Sequence, residues 1–438
     1  MRLIASLIVA ATLTGCATNP TPVDNPFEGD PWPEIRAERI STLLPGAMAD
    51  NGLDGWVIIC RENNNDPMAD HVGCENAGGT AAFMFFRDGD TVTSVAISPR
   101  GEATSLAETG RMDEVIVSER GASIWSTMAD VFDRFDPDAI GINTGRSPIT
   151  DGLSHTQYES MMAGLSGEWT SRMQSAEAMI RSWLSVKTPA EVEIMALAAE
   201  ITAQWEVEAY ANAVGGVTTD RDIADFLEAK MAEMGVGDAW SPEQNPAVNS
   251  GKDRGHSHPT ERVIQPGDFI QTDFGIRVHG RWVTDIQRFA YVLAPGETEA
   301  PQDAIDKWEA AKRGNRAAFA AMMPGATGNE VDRAQRVMLE ENGSQPVMWG
   351  TGHPVGYWAH DSGPGLSGGR LGQELQRTPT QILKPGMTFA FDGFHKWSLT
   401  DSTTKTISVE EMVVITEDGA RWMTPPQEDL ILIHTPAN

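Results

Sequence analysis

The chain has 438 residues, with 62 Asp and Glu against 33 Lys and Arg and a formal charge of −29. An acidic balance of this size offers no basic field to neutralise nucleic-acid phosphates, and none to dock on an anionic membrane surface. At 40% hydrophobic and 22% charged the composition is globular and long enough for two or three domains, and three cysteines exclude a disulfide framework or a Cys-rich zinc module.

Met1-Arg2 precedes an apolar run from Leu3 to Leu13, then Thr14-Gly15-Cys16. One positive charge, a short apolar stretch and a small-residue exit read as a secretory signal over residues 1–15, too short to span as a stable helix. Leu13-Thr14-Gly15-Cys16 resembles the bacterial lipobox, in which the cysteine is acylated. That resemblance implies a lipid anchor on Cys16, a tether over 16–32, and a periplasm-facing place in the cell envelope, the outer membrane rather than the inner. In an oxidising compartment Cys60 and Cys74 form either a disulfide or, for Cys60 within Trp56-Val57-Ile58-Ile59, a buried free thiol.

Residues 33–175 alternate helical and strand-like pieces. Ile35 to Met48 has helix spacing, and Trp56–Cys60, Ala81–Phe86, Thr91–Ile97, Glu114–Val117 and Ile140–Ile142 read as short strands, giving an α/β layer domain. Thr188-Pro189-Ala190-Glu191 is a helix start with a capping box. Ile194, Leu197, Ile201 and Trp205 then fall on one face, and Ile223, Leu227, Met231 and Met234 form a second apolar stripe; both are expected in the core.

Gly267 to Gly275 reads as a strand containing Asp273, and Trp282 to Arg288 begins its hairpin partner with Asp285. Strands deplete Asp, and a buried carboxylate needs a cation or several donors. Either each Asp pairs with Arg277, Arg281 or Arg288, or the acids bind metal. Five of nine histidines (His256, His258, His279, His353 and His360) lie between residues 256 and 360, and Asp392, Glu410 and Glu411 sit in apolar strands further on. Four carboxylates and an imidazole form a hard, oxygen-rich ligand set that suits two Mn²⁺ ions, with Co²⁺, Fe²⁺ or Zn²⁺ admissible. Two such ions hold a bridging hydroxide near neutral pH and polarise an amide carbonyl.

Five segments in order then carry a family resemblance: His256-Ser257-His258-Pro259 before Gly267-Asp268 and Asp273-Phe274-Gly275; Thr284-Asp285-Ile286-Gln287-Arg288; Gly352-His353 through His360-Asp361; Lys384-Pro385-Gly386-Met387; and Val409-Glu410-Glu411. Together they resemble the M24 metallopeptidases, the pita-bread group of Xaa-Pro aminopeptidases, prolidases and methionine aminopeptidases. The resemblance implies an α+β, pita-bread (creatinase/aminopeptidase) catalytic domain over 181–435, preceded by an α/β creatinase-type N-terminal domain. It implies Asp273 on one metal, His353 and Asp392 on the other, and Asp285 and Glu410 bridging both. His256 and His360 take the catalytic positions that contact substrate and stabilise the tetrahedral intermediate, while Glu411 points to the other sheet face. The implied substrate is a peptide cleaved before proline, and a homodimer is admitted.

Three departures stand out. Asp392-Gly393 occupies the place of the usual Glu-Pro, and the Asp273–Asp285 gap is one residue longer, calling for a bulge or a longer turn at His279-Gly280. Ser408 stands where prolidase-like members often carry Arg, with Arg370 as a substitute. Competing readings are a non-catalytic envelope protein of this fold and a small-molecule or organophosphate-type hydrolase.

Overall fold

The computed structural model describes residues 25–74, 79–119, 121, 123–255, 258–375, 378, 381–400 and 402–437. Cys16, the signal-like segment, most of the tether and His256 lie outside them. Among the described residues no helix is long and apolar enough to cross a membrane.

The spacing from Ile35 to Met48 forms helix with an interruption. Trp32–Glu38 and Leu44–Asp50 flank a π-helical turn, Arg39–Leu43. Pro45 has no N–H to bond back to the preceding turn, and the backbone widens there. The widened turn carries Arg39, whose side chain is fully buried.

The five anticipated strands are present as β1 (Gly55–Cys60), β2 (Ala81–Asp88), β3 (Thr91–Pro99), β4 (Glu114–Ser118) and β5 (Ile140–Ile142), joined by β6 (Met173–Ser175). They form one mixed sheet in the order β4-β3-β2-β1-β5-β6. Trp56, Ile58 and Cys60 of β1 face one core and Val57 and Ile59 the other, so an unbroken apolar run is what burial on both sides requires. Cys60 and Cys74 are joined by a disulfide, which decides between the two alternatives left by their spacing.

Thr188 caps the helix Pro189–Ala211 with the expected box. Of the expected stripe Trp205 is buried and Ile194 and Ile201 pack half-buried against the core, but Leu197 is 38% exposed, and the buried face is shifted toward Val192, Met195, Ala199, Thr202 and Glu206. The helix packs with its small residues against strands, and alanines give little hydrophobic contrast to read. In the next helix, Asp220–Met234, Ile223, Leu227 and Met231 are buried as expected and Met234 half-buried.

The following strands are β7 (Gly237–Asp238), β8 (Ala247–Ser250), β9 (Phe269–Phe274), β10 (Ile276–Val278), β11 (Trp282–Val283), β12 (Ile286–Val292), β13 (Gly352–Pro354), β14 (Thr388–Thr400), β15 (Thr403–Thr416), β16 (Gly419–Trp422) and β17 (Ile431–Ile433). They form sheets in the orders β17-β12-β9-β8, β13-β14-β15-β16 and β11-β10-β7. Helices Gln302–Ala321 and Gly328–Glu341 pack on β14, and Pro189–Ala211 packs on β12.

The long hairpin keeps one register from Phe269↔Tyr291 to Val278↔Trp282. The extra residue therefore sits in the turn, where His279 and Gly280 take positive φ, and no bulge interrupts the strands. Gly275 allows the two arms to close: a Cβ there would meet the Thr284 carbonyl oxygen at 2.1 Å.

Candidate metal centre

Strand alternation sets the site. Asp273 faces Gln287 across β9 and β12, and Asp285 lies two residues before Gln287, so all three share a sheet face. On the other sheet Asp392 faces Glu410, while His353 faces Ala390 two residues before Asp392. The two faces meet around a cavity of about 610 Å³, lined by Asp273, Asp285, His353, Asp392 and Glu410 among others. His360 lines its exposed edge, its ring centroid 4.2 Å from that of His353.

The tightest group is Asp285, His353 and Glu410, whose ligand atoms all lie within 4.8 Å of one another. His353 Nε2 is 3.8 Å from Asp285 Oδ2 and 3.8 Å from Glu410 Oε1. Burial pushes both carboxyls well above their usual range. Asp273 and Asp392 push Asp285 further, and Asp285, Asp392 and Asp273 do the same to Glu410. Burial, with His360 beside it, lowers His353 to about 4. The imidazole is therefore neutral near pH 7, and its Nδ1 lies 3.3 Å from the Pro354 carbonyl oxygen. A proton on Nδ1 turns the Nε2 lone pair toward the two carboxylates. Three acceptors then converge on one point, an arrangement that a cation satisfies and that protons occupy without one.

The three arginines considered as partners are engaged elsewhere. Arg288 pairs with Glu411 at 3.1 Å, Arg281 with Asp70, and Arg277 donates to the carbonyls of Asp238, Ala239, Arg281 and Tyr357. Glu411 thus lies on the far face of β15, as alternation required. His258 bonds the Glu243 carbonyl, His279 lies near the Gly29 carbonyl at 3.2 Å, and neither lines the cavity. Arg370 is exposed and also lies outside the lining, so it is no substitute for a cation at Ser408. Gly393 has a packing reason: a Cβ would stand 2.1 Å from the Asn315 nitrogen of the overlying helix.

Sequence reasoning missed a polar wall beside the acids. Gln271 Nε2 donates to Gln287 Oε1 at 2.6 Å and to Ser408 Oγ at 3.2 Å, and Ser408 donates to Gln287 Oε1 at 2.6 Å. The Gln287 side chain in turn hydrogen-bonds Glu410. The signal that could have found it is alternation, since Gln271, Gln287 and Ser408 each lie two residues from an assigned acid.

The family model for metallopeptidase family M24 matches residues 193–417. The chain belongs to metallopeptidase family M24. It is similar to a probable dipeptidase PepE of Mycobacterium tuberculosis, 25% identical over 91% of this chain and 97% of the relative. It is also similar to the Xaa-Pro dipeptidase of Pyrococcus furiosus, 24% identical over 66% of this chain and 76% of the relative. Among solved structures, dipeptidase PepE from Mycobacterium ulcerans superposes with a TM-score of 0.64 at 23% identity, covering 93% of this chain and all (100%) of the other. The X-Pro aminopeptidase from Thermotoga maritima does so with a TM-score of 0.63 at 18% identity, covering 89% and 100%. The M24 chain thus has the pita-bread fold and is a metallopeptidase, and the acid cluster is its candidate metal site.

Proposed function

We propose that this M24 peptidase cleaves peptides before proline with two divalent ions, Mn²⁺ first among them, with Co²⁺, Zn²⁺ or Fe²⁺ as alternatives. The observation that carries the reading is the convergence of Asp285, Glu410 and the neutral His353 with no Lys or Arg lining the cavity among the described residues. This donor set fits hard divalent ions: carboxylate oxygens dominate and one imidazole completes them. Asp273 would hold one ion, His353 and Asp392 the other, and Asp285 and Glu410 would be shared. When bound, the ions supply polarisation of the scissile carbonyl and acidify water for attack. The acidic cavity draws in the substrate's α-ammonium group. His360, at the exposed edge, and His256 would contact the substrate and steady the charge growing on its carbonyl oxygen.

We further propose that the chain works in the cell envelope, anchored through Cys16. The signal-like N-terminus and the Cys60–Cys74 disulfide support this reading. Replacing Cys16 with Ser should release the protein from membranes and abolish labelling by a fatty acid.

The activity is tested by metal content and Xaa-Pro hydrolysis of wild type beside Asp392→Glu and Asp285→Asn. Asp392→Glu should keep or raise metal occupancy and Asp285→Asn should abolish it. Lost occupancy in the first, or full occupancy and activity in the second, would refute the ligand assignment.

A further inference from the structure

The polar wall of the cavity bears on which peptides can be held. Glu410, as an ionised ligand, accepts from the Gln287 amide N–H, and this turns the Gln287 carbonyl oxygen toward Gln271 and Ser408. Gln271 must then present its own N–H groups to Gln287 and Ser408. Among the described residues nothing donates to the Gln271 side-chain oxygen, Oε1, which is left for a ligand that brings an N–H. Ser408 lies two residues from Glu410 on the same strand face, roughly 7 Å along β15. Gln287 reaches Glu410 itself, so the near end of the wall adjoins the proposed ligands and Ser408 stands about two residues further along.

Charge points the same way. A fifth acid, Asp253, lines the cavity and accepts from the Thr406 main chain at 2.8 Å and from the Thr404 and Thr406 hydroxyls at 3.0 and 2.8 Å. Those donors are neutral, and the buried Lys405 ammonium, outside the cavity lining, offsets only part of its charge. Two divalent ions would balance Asp273, Asp285, Asp392 and Glu410 and leave no positive charge over. In a dipeptide the terminal carboxylate follows the scissile nitrogen by one residue, at most about 3.6 Å of chain. It would lie inside the cavity, beside the free side-chain carbonyl oxygen of the wall, with Asp253 further along β15 and no Lys or Arg in the lining among the described residues. A longer peptide carries an amide N–H at that point and its carboxylate outside.

We propose that the substrates are peptides of three or more residues, or dipeptides with a blocked C-terminus, and that Asp253, Gln271, Gln287 and Ser408 discriminate against free dipeptides. This rests on the Xaa-Pro reading above and divides aminopeptidase from dipeptidase action within it.

The test compares kcat/KM of the Mn²⁺-loaded protein for Ala-Pro, Ala-Pro-amide and Ala-Pro-Ala. The amide and the tripeptide should be favoured about tenfold or more, the low end of what juxtaposed like charges cost. Independently of turnover, the fluorescence of the cavity residues Trp240 and Trp349 should report tighter binding of prolinamide than of proline. Ser408→Arg should shift the acid-to-amide ratio toward the acid. Asp253→Asn, which changes charge without size, should shift it the same way by a smaller factor. Ala-Pro turned over as well as its amide overturns this proposal and leaves the Xaa-Pro reading standing. A preference that neither variant moves overturns the assignment to these residues. Turnover of none of the three substrates, with binding of neither proline nor prolinamide, overturns the Xaa-Pro reading and this proposal together.

Discussion

Two clusters of buried acids among the described residues are built on opposite plans. At the junction with the N-terminal sheet, Glu191 pairs with Arg39 at 2.7 Å and accepts from Trp282, Tyr357 and the Thr188 main chain, while Lys187 pairs with Asp361 at 3.1 Å. Burial alone would push Glu191 up, but Arg39, Lys187 and its hydrogen bonds outweigh it and hold the carboxyl below its usual range. At the cavity, burial and neighbouring acids act in the same direction on Asp285 and Glu410 and push both well up. A paired buried acid is a structural element complete in itself, whereas converging acids beside a neutral imidazole, with no Lys or Arg lining their cavity among the described residues, await a cation. Glu410 and Glu411 draw the same contrast between adjacent residues, since Glu411 has Arg288.

The largest expected effect lies at the cavity cluster. Asp285→Asn should lower peptidase activity by more than about 1000-fold, beyond the 10–100-fold typical of a ligand's outer partners. In the metal-free protein at pH 7.5 the same change should raise the melting temperature, because folding no longer has to neutralise a buried carboxyl whose pKa burial and neighbouring acids push well up. A metal-free variant that melts lower than wild type would break the comparison, for it would mean that Asp285 is already satisfied by the protein.

At the paired cluster the sign reverses. Arg39→Met leaves Glu191 buried without its cation and should cost about 3–5 kcal/mol in urea unfolding. Adding Glu191→Gln should recover part of that loss, since the amide keeps acceptor capacity without charge. A cost for Arg39→Met below about 1 kcal/mol, the range of an exposed pair, would show that the cluster does not bind the two halves together.

How much of this was legible in the sequence follows from what each feature depends on. Asp273, Asp285, Asp392 and Glu410 were legible because an acid inside an apolar strand is costly unless something neutralises it. Once the family resemblance put Glu410 in the site, strand alternation put Glu411 on the other face. Glu191 was read correctly as half of a capping box, yet its pairing with Arg39 spans 152 residues and depends on a π-turn no pattern announced. Alternation put Gln271, Gln287 and Ser408 on the faces of the assigned acids, but nothing in the sequence showed that the three meet as one wall. Neutral polar residues in strands are ordinary until the two sheets are laid against each other. The offset of the long helix face has a local cause, since Ala198, Ala199 and Ala203 pack closely but add little amplitude to a hydrophobic stripe.

The smallest expected effect sharpens the comparison by pH. His71 is buried against Trp32, Trp183 and Tyr357, its Nδ1 has no hydrogen-bond partner, and burial with Arg39 nearby lowers it to about 3. Unfolded, the ring titrates near 6.5. Between these values the unfolded chain holds a proton that the folded one lacks, so stability falls as pH drops through the window. Asp66 acts in reverse: burial raises it to about 6, so folding gains as pH drops from 6 toward the ordinary carboxyl value. The wild-type curve mixes the two, and a difference curve separates them. His71→Phe keeps the aromatic packing and removes the titration. Its stability relative to wild type should be nearly flat above pH 7 and rise on the order of 1–2 kcal/mol by pH 5. A difference that stays flat down to pH 4 would mean that the ring takes up its proton in the folded protein, and the junction would then tolerate a charge that Arg39 and Lys187 are expected to repel.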